Sequence, residues 1–298
     1  MNPTPQAPLD GWRRTLHYKL RFGLARLPLC PARYRLRTDG TPDFFFRWTR
    51  VMPFMDPARG AFDFELYGWD VRELRFLRRY LQPGMTFVDL GAHHGLYSVL
   101  ASALVGPAGR VLAFEPTPSI VRRLRWHVRL NGGANAEVFA AAVGAKKSTV
   151  TLFVPTHGVD TISSLRPPGR TNAPVQRVEV DLVALDDVVA ERGGLAVDLI
   201  KLDVEGAEPE VLDGATQLLA RQRTLWLFEA LDSTSAGFGG SARALVDRFA
   251  AGHALYEFTP EGWLRPHSPR ESYPHDSNCN LLAVPPPRRA DVERFLAR

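Results

Sequence analysis

Cysteine is scarce in this chain, which has two, Cys30 and Cys279, among its 298 residues. Two thiols exclude a disulfide framework and a metal cluster built on several cysteines. Long apolar runs are also missing, because no stretch reaches the roughly 20 residues that a membrane-spanning helix needs. No apolar signal-peptide core follows the first residue, so the sequence predicts a cytoplasmic protein.

Acidic residues are absent from residues 11–38, although eight Lys and Arg side chains lie there. Trp12, Leu16, Leu20 and Leu24 recur at helical spacing, so this segment predicts a basic amphipathic helix. Two interpretations are open: the helix packs on the rest of the chain with its arginines in solvent, or it contacts an anionic membrane surface or an acidic partner. Nucleic-acid binding is not expected, because the rest of the chain is slightly acidic and has no aromatic-rich recognition motif.

The chain length suits one large α/β domain with an extension. Residues 1–80 predict an N-terminal extension made of the basic helix and aromatic-rich segments. Residues 81–298 predict the main domain, since apolar strands and helical segments alternate along them. A loop at 155–175 interrupts this alternation, and it is either a plain solvated loop or a source of substrate contacts such as His157.

Residues 87–101, FVDLGAHHGLYSVLA, predict a buried strand, a turn containing glycines and the start of a helix. The G-x-G-x-x-G pattern that brings backbone close to a pyrophosphate is missing, whereas Asp89 precedes the first glycine. This combination favours a ligand with an amino-acid-like end, and S-adenosylmethionine is the obvious candidate. A nicotinamide-dependent oxidoreductase is the alternative, and the missing pattern counts against it.

A second apolar strand ends in Glu115, one strand after the glycine turn. A carboxylate at that place can accept hydrogen bonds from both hydroxyls of an adenosine ribose. The alternative is a surface acid that caps the helix predicted to begin near Ser119. We expect Glu115 to bind the ribose of the cofactor.

The segment LIKLDVEGAEPEVLDGA at 199–215 contains a strand that ends in Asp203, with Glu205 two residues on. Glu229 ends the next strand, and ligands bind at the carboxyl ends of strands in open α/β sheets. We expect these three carboxylates to be catalytic, with Asp203 as the first choice for the group near the reacting atoms. Two alternatives are open: an ion pair of the acids with Lys201 or an arginine, and a Mg²⁺ site built on the three carboxylates.

Three strings together resemble the FkbM family of S-adenosylmethionine-dependent methyltransferases: D-x-G-A-x-x-G-x-x-S from Asp89 to Ser98, FEP at 114–116, and K-x-D-V-E-G-A-E at 201–208. The resemblance implies a class I methyltransferase Rossmann-like α/β fold, with a mostly parallel seven-stranded sheet whose last strand is antiparallel. It also implies O-methylation of a hydroxyl on a small molecule, such as a sugar, polyketide or other natural product. The cofactor-binding residues that it implies are Asp89, Gly91, Ala92, His93, Gly95, Tyr97, Ser98, Glu115, Pro116, Ala142 and Asp203.

The pair His93-His94 departs from the family, which often has a small polar residue and a hydrophobic one there. The pair lies beside the place expected for the carboxylate end of the cofactor, so it can also act on the substrate side. A scaffold that binds S-adenosylmethionine without turnover is the remaining alternative. Such a scaffold would show a damaged cofactor motif, and none of the three strings is damaged.

Overall fold

The computed structural model of the protein describes residues 33–36, 44–47, 70–155, 165, 175–237, 240–274 and 280–297. The chain divides into two compact units, Met1–Trp69 and Asp70–Arg298. In the first unit the described residues form two short antiparallel strands, β1 (Arg33–Leu36) and β2 (Phe44–Arg47).

Strand β1 corrects the last part of the helix predicted over residues 11–38. Tyr34 and Leu36 alternate with two arginines, and this is the period of a strand rather than of a helix. The other parts of that predicted helix lie outside the described residues. So do Cys30, Cys279 and most of the loop at 155–175, including His157.

The second unit contains a regular alternation of strands and helices. In chain order these are α1 (Val71–Tyr80), β3 (Thr86–Leu90), α2 (Leu96–Val105), β4 (Arg110–Phe114), α3 (Pro118–Leu130), β5 (Ala136–Phe139), β6 (Ala141–Val143), β7 (Ser148–Pro155), β8 (Val175–Val183), α4 (Leu185–Ala190), β9 (Leu199–Leu202), α5 (Glu208–Asp213), α6 (Thr216–Ala220), β10 (Leu225–Glu229), α7 (Asp232–Gly237), α8 (Ala242–Ala250), β11 (Ala254–Phe258), β12 (Leu264–Pro266), β13 (Asn280–Val284) and α9 (Arg289–Glu293). No helix in the described part of the chain is long and apolar enough to cross a membrane.

Helix α1 belongs to the second unit, so the division lies between residues 69 and 70, whereas the sequence placed it between 80 and 81. Phe76 and Tyr80 are buried, and their ring centroids are 5.4 Å apart. The Phe76 ring also lies 5.5 Å from the ring of Phe258 on β11. Because this apolar face packs against a strand of the main sheet, α1 is part of the main domain.

The main sheet has eight strands in the order β12-β11-β13-β10-β9-β3-β4-β5. Strands β10, β9, β3, β4 and β5 run parallel, and β13 runs antiparallel between β10 and β11. The predicted α/β fold, with a mostly parallel sheet and an antiparallel last strand, is therefore confirmed. The seven expected strands are joined by an eighth, the three-residue β12, which pairs with β11 at the edge.

Two elements expected as single pieces are each divided. The pattern of residues 136–142 predicts one strand, whereas the structure has β5 in the main sheet and β6 in a separate three-stranded sheet of order β6-β8-β7. The pattern of residues 208–220 predicts one helix, whereas the structure has α5 and α6, and Gly214 follows the last residue of α5. A Cβ added to Gly214 would stand 2.1 Å from the Gly144 carbonyl oxygen, so this junction packs directly on the chain after β6.

The parallel strands direct several acids to one edge of the sheet, because their carboxyl ends meet there. Asp89 of β3 pairs in register with Lys201 of β9, so both side chains point to the same face. Val88, Ile200 and Trp226 point to the opposite face and belong to the buried apolar core. The core thus fixes the strands whose ends carry the candidate site.

Candidate active site

The turn after β3 depends on two glycines in the left-handed region, Gly91 at φ 77° and Gly95 at φ 89°. A Cβ on Gly91 would lie 1.8 Å from the backbone oxygen of Asp203, and one on Gly95 would lie 2.5 Å from Leu124 Cδ1. The backbone N–H groups of Gly91 and Ala92 both donate to the Phe114 carbonyl, at 3.1 and 2.8 Å. These glycines therefore let the turn pack against β4, α3 and the chain after β9.

Asp89 lies in β3 directly before this turn and is buried. Its Oδ2 accepts a hydrogen bond from Ser98 Oγ at 2.5 Å, whereas its buried Oδ1 has no hydrogen-bond partner. Burial raises the pKa of Asp89, and the charge of Lys201 opposes that shift. An unsatisfied buried acceptor costs about 1–3 kcal/mol, so a donor such as the amino group of the expected cofactor would recover that energy. The residue fits the predicted cofactor-binding role.

Glu115 ties the glycine turn to the end of β4. Its Oε1 accepts the backbone N–H of Thr117 at 2.8 Å, and its Oε2 accepts that of His93 at 3.0 Å. The side chain is buried rather than on the surface, and burial raises its pKa. A carboxylate oxygen can accept two hydrogen bonds, so each oxygen of Glu115 can accept one more, for example from a ribose hydroxyl.

The two histidines of the turn belong to a larger cluster with α3. The ring centroids of His93 and His94 are 3.9 Å apart, and Arg123 Nη1 lies 3.0 Å from His94 Nε2. The His94 carbonyl oxygen is 2.6 Å from His127 Nδ1. Burial and the charge of Arg123 lower the pKa of His93 to about 4, so its ring is neutral near pH 7. The buried Nε2 of His93 has no hydrogen-bond partner and is a second polar atom at which a ligand can bind.

Arg123 and His127 were missed by the sequence analysis. They lie on the inward side of α3, where Leu124 and Val128 are also buried. Their spacing of four residues is the only sequence signal, and an amphipathic helix gives the same signal without any site. Their partner His94 is 29 and 33 residues away along the chain.

Asp203 forms an ion pair with Lys201, with 2.6 Å between Oδ2 and Nζ. The lysine side chain is 8% exposed and that of Asp203 is 31% exposed. The backbone N–H of Asp203 also donates to the Leu90 carbonyl at 3.1 Å. The ion-pair alternative raised from the sequence is therefore correct for Asp203, and the residue also reaches the edge of the sheet beside the glycine turn.

The charge of Asp203 acts on the carboxyl groups of Glu205 and Glu229. Burial, followed by the charges of Asp203 and Glu208, raises the pKa of Glu205 to about 8. Burial, followed by the charges of Asp203 and Glu205, raises the pKa of Glu229 to about 8 as well. Near pH 7 both carboxyls thus hold a proton most of the time and can donate it in hydrogen bonds.

Glu208 has a structural role in the same turn. Its Oε1 accepts the backbone N–H groups of Val204 and Gly206, at 3.1 and 3.2 Å. These bonds hold the chain between β9 and α5, where Glu205 adopts φ 58°. Glu208 is also the first residue of α5, so one side chain begins this helix and supports the turn that contains Glu205.

The possible Mg²⁺ site gains no support from the geometry. Among the described residues, no group of three or more His, Cys, Asp or Glu side chains is placed to hold a metal ion. Asp203 instead directs one oxygen to the Lys201 ammonium.

Three further residues predicted to bind the cofactor, Tyr97, Pro116 and Ala142, lie in three different parts of the fold. Tyr97 is buried under the Lys201 ammonium, which lies 4.7 Å from its ring centroid. Pro116 directly follows Glu115 and precedes α3. Ala142 lies in β6 and packs with Leu152 and Val180 in the core of the small sheet, so its cofactor role stays a prediction.

The comparisons with known proteins agree with this arrangement. The model of the methyltransferase FkbM domain matches residues 89–255, which is more than half of the chain. The methyltransferase sdnD of Sordaria araneosa is 31% identical over 156 residues, covering 44% of this chain and 60% of its own length. The 31-O-demethyl-FK506 methyltransferase FkbM of Streptomyces tacrolimicus is 28% identical over 163 residues, covering 45% and 60%. The 2-O-methyltransferase NoeI of Sinorhizobium fredii is 26% identical over 157 residues, covering 49% and 63%.

The match thus spans about three fifths of the length of each of these relatives. The family match begins at Asp89, continues through the turn and Glu115, and includes Asp203, Glu205 and Glu229. The chain therefore belongs to the FkbM methyltransferase family and carries an S-adenosylmethionine-dependent methyltransferase domain.

Proposed function

We propose that the protein transfers a methyl group to a hydroxyl oxygen of a small molecule, a sugar or another natural product. The observation that carries the proposal is the contact of Asp203 with the glycine turn. The Asp203 N–H donates to Leu90 at 3.1 Å, and its carbonyl oxygen occupies the place that a Cβ of Gly91 would need. A carboxylate at that position stands next to the cofactor-binding turn, where the reaction would occur.

Asp203 is the proposed general base. When bound, S-adenosylmethionine supplies an electrophilic methyl group on a sulfonium ion. Asp203 accepts the proton of the acceptor hydroxyl while that oxygen forms its bond to the methyl carbon. The bond from this carbon to sulfur would break in the same step, and S-adenosylhomocysteine would leave. Such base catalysis contributes about 10²–10⁴-fold to a rate. Its side chain is anchored by Lys201 yet 31% exposed, so it is held in place without being covered.

Glu205 and Glu229 are proposed to orient the acceptor. Each has a pKa raised to about 8, so each is mainly protonated near neutral pH. A protonated carboxyl donates one hydrogen bond and accepts others, which suits an acceptor that has several neighbouring hydroxyls. Two mainly protonated carboxyls beside Asp203 support a polyhydroxylated acceptor.

The names of two relatives support oxygen as the methylated atom. The Streptomyces tacrolimicus protein is named for 31-O-demethyl-FK506, and the Sinorhizobium fredii protein is named a 2-O-methyltransferase. From these two names the proposal uses only the methylated atom, oxygen, and not the molecule that carries it.

The test is incubation with deuterated-methyl S-adenosylmethionine and metabolite fractions, followed by mass analysis of the methylated products. We expect the label on a hydroxyl oxygen of a small molecule. Label found only on nitrogen, carbon or a macromolecule would contradict the proposal. Tight binding of S-adenosylhomocysteine without transfer to any fraction would support a non-catalytic scaffold, and binding of NAD instead would support an oxidoreductase.

A further inference from the structure

Lys201 lies in β9, and the charges of carboxylates from three separate segments act on its ammonium group. It pairs in register with Asp89 of β3 and forms the 2.6 Å ion pair with Asp203. The third carboxylate belongs to Asp70, which directly precedes α1 and whose Oδ1 lies 3.5 Å from Asn280 Nδ2 on β13. The buried ammonium of Lys201 thus compensates the negative charges of Asp89, Asp203 and Asp70.

Lys201 is unsuited to proton transfer. Burial opposes its charged form, but the charges of Asp203, Asp89 and Asp70 outweigh burial and raise its pKa further above the ordinary value. The aromatic ring of Tyr97 faces the ammonium at 4.7 Å and gives a further favourable contact with the cation. A lysine that stays protonated acts through its position and charge.

The ion pair restricts how Asp203 can point. The backbone N–H of this residue is bonded to Leu90, and its Oδ2 is bonded to Lys201, so both ends of the short side chain are fixed. An unanchored aspartate would rotate about χ1 and χ2 and would spend less time aligned with an acceptor hydroxyl. A displacement of about 1 Å at a reacting centre can cost about 10²-fold in rate.

We propose that Lys201 is a positioning residue that holds Asp203 in the orientation needed to accept the hydroxyl proton. This inference rests on the proposed function of Asp203 as the base. The competing explanation is an ordinary buried ion pair, which affects folding stability only. Removing one partner of a buried pair is commonly destabilising, so stability alone cannot separate the two explanations.

The test is a double-mutant cycle on kcat with Lys201→Met and Asp203→Asn. Activity is measured at saturating S-adenosylmethionine and counted per site that binds S-adenosylhomocysteine, which removes any unfolded fraction from the result. We expect Lys201→Met alone to lower kcat about 100-fold. In the Asp203→Asn background we expect Lys201→Met to cause no further loss, because its effect passes through Asp203.

A second variant guards against misfolding. Asp70→Asn, added to Lys201→Met, removes one of the carboxylates that the lysine had balanced and leaves Asp203 unchanged. We expect this double variant to regain thermal stability but to keep the low kcat. Arg265→Met serves as the matched control, because it removes a 2.8 Å ion pair with Glu257 at the sheet edge and should keep wild-type kcat.

Several results would overturn the inference: wild-type kcat in Lys201→Met, recovery of kcat with stability in the Asp70→Asn double variant, or losses that multiply in the cycle. A different result would overturn the proposed function itself. That result is the absence of methyl transfer to any hydroxyl by the wild-type protein, and the two failures are therefore distinguishable.

Discussion

The Glu115 carboxylate accepts the backbone N–H of His93 at 3.0 Å, so the acid at the end of β4 holds the glycine turn after β3. One residue thus shapes the turn and offers two acceptor positions to a ribose. We expect Glu115→Gln to weaken binding of S-adenosylhomocysteine about 10- to 100-fold, since hydrogen bonds to charged groups contribute about 1.5–3 kcal/mol. Calorimetric titration measures the change.

The matched control for this variant is Glu137→Gln. Glu137 is an exposed acid on β5 that pairs with Arg192 at 2.6 Å, so its charge is lost without any change at the turn. Affinity of Glu137→Gln should equal that of the wild type. Equal affinity of the Glu115→Gln variant as well would remove Glu115 from the cofactor site.

Gly91→Ala should disrupt the site much more than Gly84→Ala. Both glycines have positive φ, at 77° and 89°, but an added Cβ at Gly84 meets no atom within 4 Å, whereas at Gly91 it would lie 1.8 Å from Asp203. We expect Gly84→Ala to cost about 1–2 kcal/mol of unfolding free energy from left-handed strain. Gly91→Ala should cost clearly more and abolish binding of S-adenosylhomocysteine, as urea denaturation and titration would show. Equal stability of the two variants would contradict the close packing of the turn on Asp203.

Ser98→Ala should destabilise the fold by removing the hydroxyl that donates to the buried Asp89 Oδ2. Ser98 Oγ donates to Asp89 Oδ2 at 2.5 Å in the interior. Loss of a partner to a buried acceptor costs about 1–3 kcal/mol, and more when the acceptor is charged. Urea denaturation measures this, with the exposed Ser119→Ala on α3 as control. A free energy of unfolding like that of the control would show that this bond contributes nothing.

The strand bounds are largely predictable from the sequence. The run between Gly84 and Gly91 predicts a strand at the residues of β3, because the turns at these two glycines decide where this fully buried strand begins and ends. The division of 136–142 into β5 and β6 was not predictable. It depends on pairing of Ala142 with Leu182 of β8, and no local pattern announces a partner so distant in the chain.

The candidate site divides in the same way. Asp89, Glu115 and Asp203 could be found because each ends or follows an apolar strand, and parallel strands place such ends together. The ion pair of Asp203 with Lys201 was among the alternatives that the sequence raised. The contact of His94 with Arg123 was not, because the two residues are 29 positions apart in the chain. A contact of this kind joins residues whose separation in the sequence follows neither the helical nor the strand repeat.

The two raised carboxyl pKa values predict how stability changes with pH. In the folded protein the pKa of Glu229 is raised to about 8 from an ordinary value of 4.5, so the folded state keeps a proton that the unfolded state releases. The stabilisation is complete below about pH 4.5 and is lost as pH rises through about 8. We expect the free energy of unfolding to fall between pH 5 and 8 and the Glu229→Gln variant to show a shallower slope, by about one bound proton.

Urea denaturation across that pH range provides the measurement. Glu191→Gln is the matched control, because it replaces an exposed acid after α4 and should leave the slope unchanged. An identical slope in wild type and Glu229→Gln would contradict the protonated state of Glu229. The pH slope of the free energy of unfolding of Glu205→Gln tests in the same way whether Glu205 is protonated in the folded protein.

The turnover of Asp203→Asn, measured beside its affinity for S-adenosylhomocysteine, tests most directly whether Asp203 is the base of a methyl transfer to a hydroxyl. Asparagine keeps the size of the side chain and removes its ability to accept a proton. We expect kcat to fall about 10²–10⁴-fold while the cofactor still binds. Full turnover by this variant, with the cofactor bound as in the wild type, would contradict the proposed role of Asp203.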